Sequence, residues 1–237
     1  IEISNNELTI NRALCEKCHS YDCVKNCYTK ALTVGSQEYS LNELMKIIQR
    51  DRQFWGENGG ITLSGGEPLM QIEFVEHFLR QCHQSYIHTA IESCGNIPWS
   101  NFKKVIDYLD WIFIDLKHID PYIHKDFTGA TNDLIIDNLK KLSAQFKGRL
   151  IVRIPIIVGF NSQIKIIESY LELFRDLNIK EVNLLPLHHL GREKYDLLQR
   201  GYEMLDFKSP DKKELEDISL RFKQQGINCY LGSSTPF

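Results

Sequence analysis

The chain has 237 residues, 43% apolar and 25% charged, with a formal net charge of −3. That length and balance suit one large α/β domain with a full core. They exclude a membrane-spanning helix, since no run of 18 apolar residues occurs, and they give a nucleic-acid partner no electrostatic support, since no basic stripe occurs. Residues 1–10 lack the basic flank and apolar core of a secretory leader.

Residues 1–38 read as irregular and cysteine-bearing. Four of the seven cysteines, Cys15, Cys18, Cys23 and Cys27, fall in a C-x2-C-x4-C-x3-C run. One loop with that spacing can wrap four thiolates around one metal centre, and such clustering points to a cytosolic metal site rather than a secreted disulfide framework. Zinc and a [4Fe-4S] cluster both take four thiolates. The compact run is nearer the ferredoxin style than the paired knuckles of zinc sites, although Tyr28 stands where proline usually follows the last ligand. Cys82, in a helical pattern, and Cys229, in a strand pattern, read as buried apolar residues.

A regular alternation begins at residue 40. Ser40 with Glu43 makes a capping box for a helix running to about Arg50. Gly59–Gly60 leads into a strand at 61–64, and a helix follows over 71–82, where Ile72, Val75, Phe78, Leu79 and Cys82 recur at helical spacing. Strands are predicted at 87–92, 111–116, 150–155, 182–186 and 227–231, and helices at 101–109, 134–146, 164–177 and 212–224. Six strands alternating with helices indicate parallel βα units wound right-handedly into a barrel or an open doubly wound sheet. The strands are continuously apolar, as when both faces are covered.

In βα proteins, chemistry gathers at the C-terminal ends of strands. Here those ends carry Ser64-Gly65-Gly66-Glu67-Pro68, Glu92-Ser93-Cys94-Gly95, Asp115-Leu116-Lys117, Arg153 before Pro155, and Leu185-Pro186-Leu187-His188-His189-Leu190-Gly191. Each has a plain reading: a tight turn, an ion pair along one strand face, a rim histidine. Glu67, Glu92, Asp115, Lys117, Arg153 and His188 gathered around one axis would be costly to bury without a polar ligand. Together they suggest a site for a zwitterionic small molecule.

These segments carry a family resemblance. Residues 59–68 (GGITLSGGEP), 90–95 (AIESCG), 114–117 (IDLK), 152–156 (VRIPI) and the LPLH of 185–188 with Gly191 resemble the radical S-adenosylmethionine activating enzymes of glycyl radical enzymes, the group containing pyruvate formate-lyase activase. The resemblance runs from about Cys15 to Gly232. It implies a partial parallel (β/α)6 TIM-like barrel over residues 39–237, lacking its first strand, and a ferredoxin-like [4Fe-4S] insert over residues 1–38 with Cys15, Cys18, Cys23 and Cys27 as ligands. It implies that Gly65, Gly66 and Glu67 hold the methionyl amino group of S-adenosylmethionine, with Glu67 anchoring the loop. Glu92 and Ser93 would lie by its carboxylate and ribose, Asp115 and Lys117 would meet its ammonium and carboxylate, His188 would line the ribose, and Arg153 would help neutralise the site.

The implied reaction is reductive cleavage of S-adenosylmethionine to a 5′-deoxyadenosyl radical, which removes hydrogen from a backbone glycine of a partner enzyme. The expected partners are that glycyl radical enzyme and a flavodoxin- or ferredoxin-type electron donor, around a cytoplasmic monomer. The family holds its catalytic [4Fe-4S] cluster with a C-x3-C-x2-C run, and none occurs here. Cys23 and Cys27 have the first spacing, but position 30 is Lys30. With no Met at the start, the chain is expected to be the inactive remainder of a longer activase whose upstream segment supplies that motif. Two other readings stay open, a radical enzyme acting on a small molecule and a non-catalytic iron–sulfur module.

Overall fold

The computed structural model describes residues 1–4, 7–56, 59–198 and 200–234, which include every predicted site residue. The chain forms two compact units, one of Ile1–Ser40 with Leu190–Glu203 and one of Leu41–His189 with Met204–Phe237. The segment after His189, expected to continue the barrel, therefore belongs with the cysteine-bearing residues.

The smaller unit is not wholly irregular. It holds an antiparallel pair, β1 (Glu2–Ser4) with β2 (Glu7–Thr9), and a single helical turn, α1 (Asp22–Lys25). The Nη2 group of Arg12 donates to the carbonyl of Leu197 at 2.9 Å, tying the two segments of this unit together.

The larger unit opens with α2 (Leu41–Asp51) and then follows the predicted alternation. Six strands, β3 (Gly60–Leu63), β4 (His88–Ser93), β5 (Trp111–Asp115), β6 (Arg149–Ile156), β7 (Glu181–Pro186) and β8 (Asn228–Leu231), form one sheet in chain order. All five pairings are parallel. Consecutive parallel neighbours require a crossover at every step, and helices supply them. These are α3 (Ile72–Gln84), α4 (Trp99–Val105), α5 (Pro121–Thr128) with α6 (Asp133–Gln145), α7 (Ile164–Asp176) and α9 (Lys212–Gln224), while α8 (Arg192–Leu197) lies in the smaller unit. The result is the expected partial barrel, with β3 and β8 as its edges among the described residues. None of the described helices is long and apolar enough to cross a membrane.

Side chains alternate across the strands and separate two kinds of packing. The helix-facing set, including Ile91, Ile112, Ile114, Val152, Ile154, Val182 and Leu184, joins Phe78, Leu79, Phe102, Leu139, Tyr170, Phe174 and Phe222 in one continuous core. The opposite face carries a small apolar cluster of Ala90, Phe113 and Ile151. Below that cluster, towards the strand N-termini, Arg149 binds Glu181, with its guanidinium 4.4 Å from the Trp111 ring centroid and 3.1 Å from the Tyr230 hydroxyl. Above it, at the strand C-termini, the same face turns polar. Register pairs Asp115 with Arg153 and Arg153 with Asn183, so one row of this face is charged at the end where the loops emerge.

Candidate functional site

The site begins where β3 ends. Gly65 has φ +107°, a conformation that a side chain would strain, and it turns the chain sharply out of the strand. A Cβ added at Gly65 or Gly66 would meet nothing within 4 Å, so this backbone faces open space that a ligand can occupy. Both glycines line a polar cavity of about 210 Å³ together with Glu92, Ser93, Cys94, Asp115, Lys117 and Arg153.

Glu67 holds that loop in place. Its Oε1 accepts from the Leu69 N–H at 3.1 Å, capping the turn that begins at Pro68. Its Oε2 accepts from the Ser93 hydroxyl at 3.0 Å and the Cys94 N–H at 2.8 Å. One carboxylate thus joins the β3 exit to the β4 exit. Ser93 Oγ in turn accepts from the Gly95 N–H at 3.0 Å. Gly95 has φ +72°, and a Cβ there would lie 2.9 Å from a methyl carbon of Ile114. Burial, reinforced by the Glu67 carboxylate, pushes the Cys94 thiol up from its ordinary range.

Next to this loop lies a charged chain across three strands. Arg153 Nη1 contacts Glu92 Oε1 at 2.7 Å, and Arg153 Nε donates to Asp115 Oδ1 at 2.8 Å. Lys117 Nζ lies 3.2 Å from Asp115 Oδ2. The Arg153 side chain is 17% exposed and the Lys117 side chain 41%. Desolvation works to lower the Arg153 pKa, but Asp115 and Glu92 outweigh it and hold the guanidinium above its usual range. Arg153 is therefore committed to two carboxylates, whereas Lys117 touches one and reaches into the cavity.

Asp115, Lys117 and Cys94 also line a second, larger cavity of about 510 Å³. Its remaining wall is apolar and aromatic, with Ile135, Pro155, Ile157, Phe127, Phe160 and Met204, and its polar points include Asn96, His124 and Thr128. Phe127 and Phe160 pack with ring centroids 4.5 Å apart. The two cavities together present a polar pole lined by both signs of charge and an apolar pole, the composition of a small-molecule site.

Eight of the nine residues expected to bind the cofactor are thus gathered: Gly65, Gly66, Glu92, Ser93, Asp115, Lys117 and Arg153 line the small cavity, and Glu67 braces it. His188 is not among them. It lies exposed beyond the end of β7, and its neighbour Leu187 lines the larger cavity instead. Sequence reasoning missed the aromatic wall and three buried asparagines that hold the loops. Asn132 donates to the carbonyls of His118 and Ile119, Asn138 to those of Gly95 and Ile97, and Asn161 to those of Lys117 and Pro155.

The four clustered cysteines are free thiols, Cys15 and Cys23 exposed, Cys18 and Cys27 half-buried. Backbone N–H groups of Tyr21 and Ser20 lower the Cys18 pKa, and those of Leu32, joined by the Thr29 hydroxyl, lower that of Cys27. Leu32 N–H donates to Cys27 Sγ at 3.4 Å. Such donors favour the thiolate, the ligating form. Among the described residues no three His, Cys, Asp or Glu side chains converge on one ion. Cys82 and Cys229 are buried, as read from the sequence, and burial pushes the Cys82 thiol up to about 11.

Comparison with known proteins identifies the family. Residues 22–169 match the model of the Radical SAM superfamily. The chain is 40% identical over 234 residues to the 4-hydroxyphenylacetate decarboxylase activating enzyme of Clostridioides difficile (strain 630), covering 98% of this chain and 74% of that protein. It is 38% identical over 206 residues to the trans-4-hydroxy-L-proline dehydratase activating enzyme of Clostridioides difficile, covering 85% and 68%. A crystal structure of a domain of pyruvate-formate lyase-activating enzyme from Bacteroides vulgatus superposes with a TM-score of 0.62 at 27% identity, covering 74% of this chain and 100% of that one. The chain belongs to the radical SAM superfamily, among the activating enzymes of glycyl radical enzymes.

Proposed function

We propose that this chain binds S-adenosylmethionine across the exits of β3 to β6 and presents it to the glycine of a partner glycyl radical enzyme. When bound and reduced, S-adenosylmethionine supplies the carbon radical that takes hydrogen from a backbone glycine. The chain's own residues bind and orient. Gly65 and Gly66 let backbone carbonyls reach the methionyl ammonium, since no side chain stands in that space. Glu92 and Asp115 add carboxylates to the cavity lining, and Lys117 takes the methionyl carboxylate. Arg153 bridges the two acids. The aromatic chamber of Phe127 and Phe160 takes the nucleoside and excludes water from it. The observation that carries this reading is the Glu92–Arg153–Asp115–Lys117 chain lying in one cavity with an unobstructed Gly65–Gly66 backbone.

Cys15, Cys18, Cys23 and Cys27 would hold an auxiliary [4Fe-4S] cluster, fed by a flavodoxin- or ferredoxin-type donor. The C-x2-C-x4-C-x3-C spacing supports that donor set, and the four thiols, which do not converge among the described residues, would have to draw together to hold it. The cluster that opens the cofactor does not fit these residues. It needs three thiolates beside the cavity, and Cys94 is the one cysteine lining it among the described residues. These 237 residues alone are accordingly proposed to hold the cofactor without cleaving it. The decarboxylase and dehydratase activators are similarly close to this chain, so neither name singles out one partner enzyme for it.

Calorimetric titration of the anaerobically prepared chain with S-adenosylmethionine tests the reading. Saturable binding that weakens at least tenfold in Lys117→Ala is expected. No binding, or a Lys117→Ala variant that binds as the parent does, would overturn it and leave an iron–sulfur module with no cofactor of this kind.

A further inference from the structure

We infer that Asn161 is a positioning residue for Lys117, acting through the Lys117 backbone from outside the cavity. This rests on the cofactor reading of the site. The residues on either side of the β5 exit are held in different ways. Leu116 donates its N–H to the Arg153 carbonyl at 2.9 Å, continuing the parallel ladder. Lys117 follows the end of that ladder, and its carbonyl accepts from Asn161 Nδ2 at 3.0 Å.

The same amide does two further things. Nδ2 donates its other hydrogen to the Pro155 carbonyl at 2.7 Å, and Oδ1 accepts from the Ile157 N–H at 2.9 Å. The turn from Ile157 to Asn161 is closed by the Phe160 and Asn161 N–H groups, both donating to the Ile157 carbonyl. Asn161 is fully buried, so its amide is shielded from competing water. Both hydrogens of one rigid amide therefore bridge the exits of β5 and β6, fixing Lys117 relative to Pro155 and Ile157, which line the larger cavity with it. Lys117 is long and partly exposed, and its reach into the site depends on where its backbone is pinned. No residue other than asparagine supplies two donors and one acceptor at this length.

The test combines a double-mutant cycle with a local probe. S-Adenosylmethionine affinity is measured by calorimetry for the parent chain, Asn161→Ala, Lys117→Ala and the double variant. Asn161→Ala is expected to weaken binding about tenfold, the lower end of what outer groups cost the sites they orient, and to change it less than twofold once Lys117 is gone. Amide hydrogen exchange without ligand is expected to show deprotection in Asn161→Ala confined to 116–119 and 155–161. Asn161→Ser, which keeps one donor, should fall between parent and alanine variant and replaces it should the latter fail to fold. An Asn161 effect that is absent, or equal in both Lys117 backgrounds, or spread as a global loss of protection, overturns the inference while leaving the cofactor reading intact. If the parent does not bind, or Lys117→Ala binds normally, the cofactor reading itself fails and the inference falls with it.

Discussion

Glu67 offers a measurement of how the β3 and β4 exits are joined. Its carboxylate accepts three hydrogen bonds, from Leu69 N–H, Ser93 Oγ–H and Cys94 N–H. Hydrogen bonds to a charged acceptor are worth about 1.5–3 kcal/mol when buried. Glu67 is half-buried, so about 1 kcal/mol each is the appropriate scale, and about 3 kcal/mol the whole. Glu67→Ala removes all three. Glu67→Gln can keep the Leu69 bond, and the Ser93 hydroxyl can rotate to accept instead of donate. The Cys94 N–H has no such freedom and would face the new NH2 group. Glutamine should therefore cost about 1 kcal/mol and alanine about 3 kcal/mol. A domain of this size shifts about 2–4 °C per kcal/mol, so thermal unfolding should fall by about 3 °C and about 9 °C respectively. A second readout comes from Cys94. Desolvation is the larger cause of its raised pKa and Glu67 a smaller one, so Glu67→Gln should make the thiol react with iodoacetamide faster at neutral pH without restoring ordinary reactivity. Equal melting losses for the two variants, or an alanine variant within about 1 °C of the parent, would refute the account of Glu67 as the brace between these loops.

Three other outcomes follow from the same structure. Arg153→Met removes the cation between Glu92 and Asp115, and breaking one partner of a largely buried ionic group costs about 3–5 kcal/mol, read by denaturant unfolding at neutral pH. Desolvation lowers the His118 pKa, and Nδ1 accepts from the Asp120 N–H at 3.0 Å, which needs that nitrogen unprotonated, so this imidazole is neutral when folded at neutral pH. A depressed folded pKa means that its contribution to stability is complete above the unfolded value of 6.5 and is lost as pH falls from there through the folded value. His118→Asn should flatten that acid slope in chemical unfolding series, and an unchanged slope would exclude His118 as its source. Phe174→Ala, deleting a fully buried ring packed on Tyr170 and Phe222, should cost about 3–5 kcal/mol by the same unfolding assay.

The sheet was legible because its strands are apolar through the helix-facing core and the centre of the opposite face. Continuous apolar runs such as Trp111–Ile114 have few alternatives to a buried parallel strand, and all six predicted strands fall within two residues of their observed limits. Helix α5 was missed although Asp120-Pro121 opens it, with Asp120 capping Tyr122 and Ile123 N–H, and Gly129 closes it at φ +85°. Its apolar positions are too few for a helical stripe to stand out. The charged site residues were readable because acids, cations and glycines at strand ends have few structural reasons to sit there. The apolar wall was not readable, because Phe127, Phe160 and Ile157 resemble core in any sequence pattern and only the fold turns them towards a cavity. The buried asparagines were equally silent. Asn161 and Asn138 belong to no local motif, and their partners are 44 and 43 residues away. His188 lies exposed outside the cavity for the complementary reason: the register of β7 ends at Pro186, and the bond that follows, from Leu187 N–H to the Ile156 carbonyl at 3.2 Å, holds Leu187 rather than His188.

What kind of ligand this site prefers follows from counting its charges by position. Two carboxylates, Glu92 and Asp115, face two cations, Arg153 and Lys117, so the cavity is formally neutral. A phosphate or other simple anion would gain Lys117 but meet both acids. A simple cation would gain the acids but compete with an arginine already bound to each. A molecule carrying an ammonium and a carboxylate on one carbon avoids both penalties. Its ammonium can turn to the Gly65–Gly66 carbonyls and the free edges of the acids, and its carboxylate to Lys117, the cation with a single carboxylate contact. Asp115→Asn would upset that balance by one charge. It should weaken the zwitterion S-adenosylmethionine while improving affinity for inorganic phosphate, both read by calorimetry. A variant that lost the first without gaining the second would show that hydrogen-bond geometry, rather than the balance of charge, sets the preference.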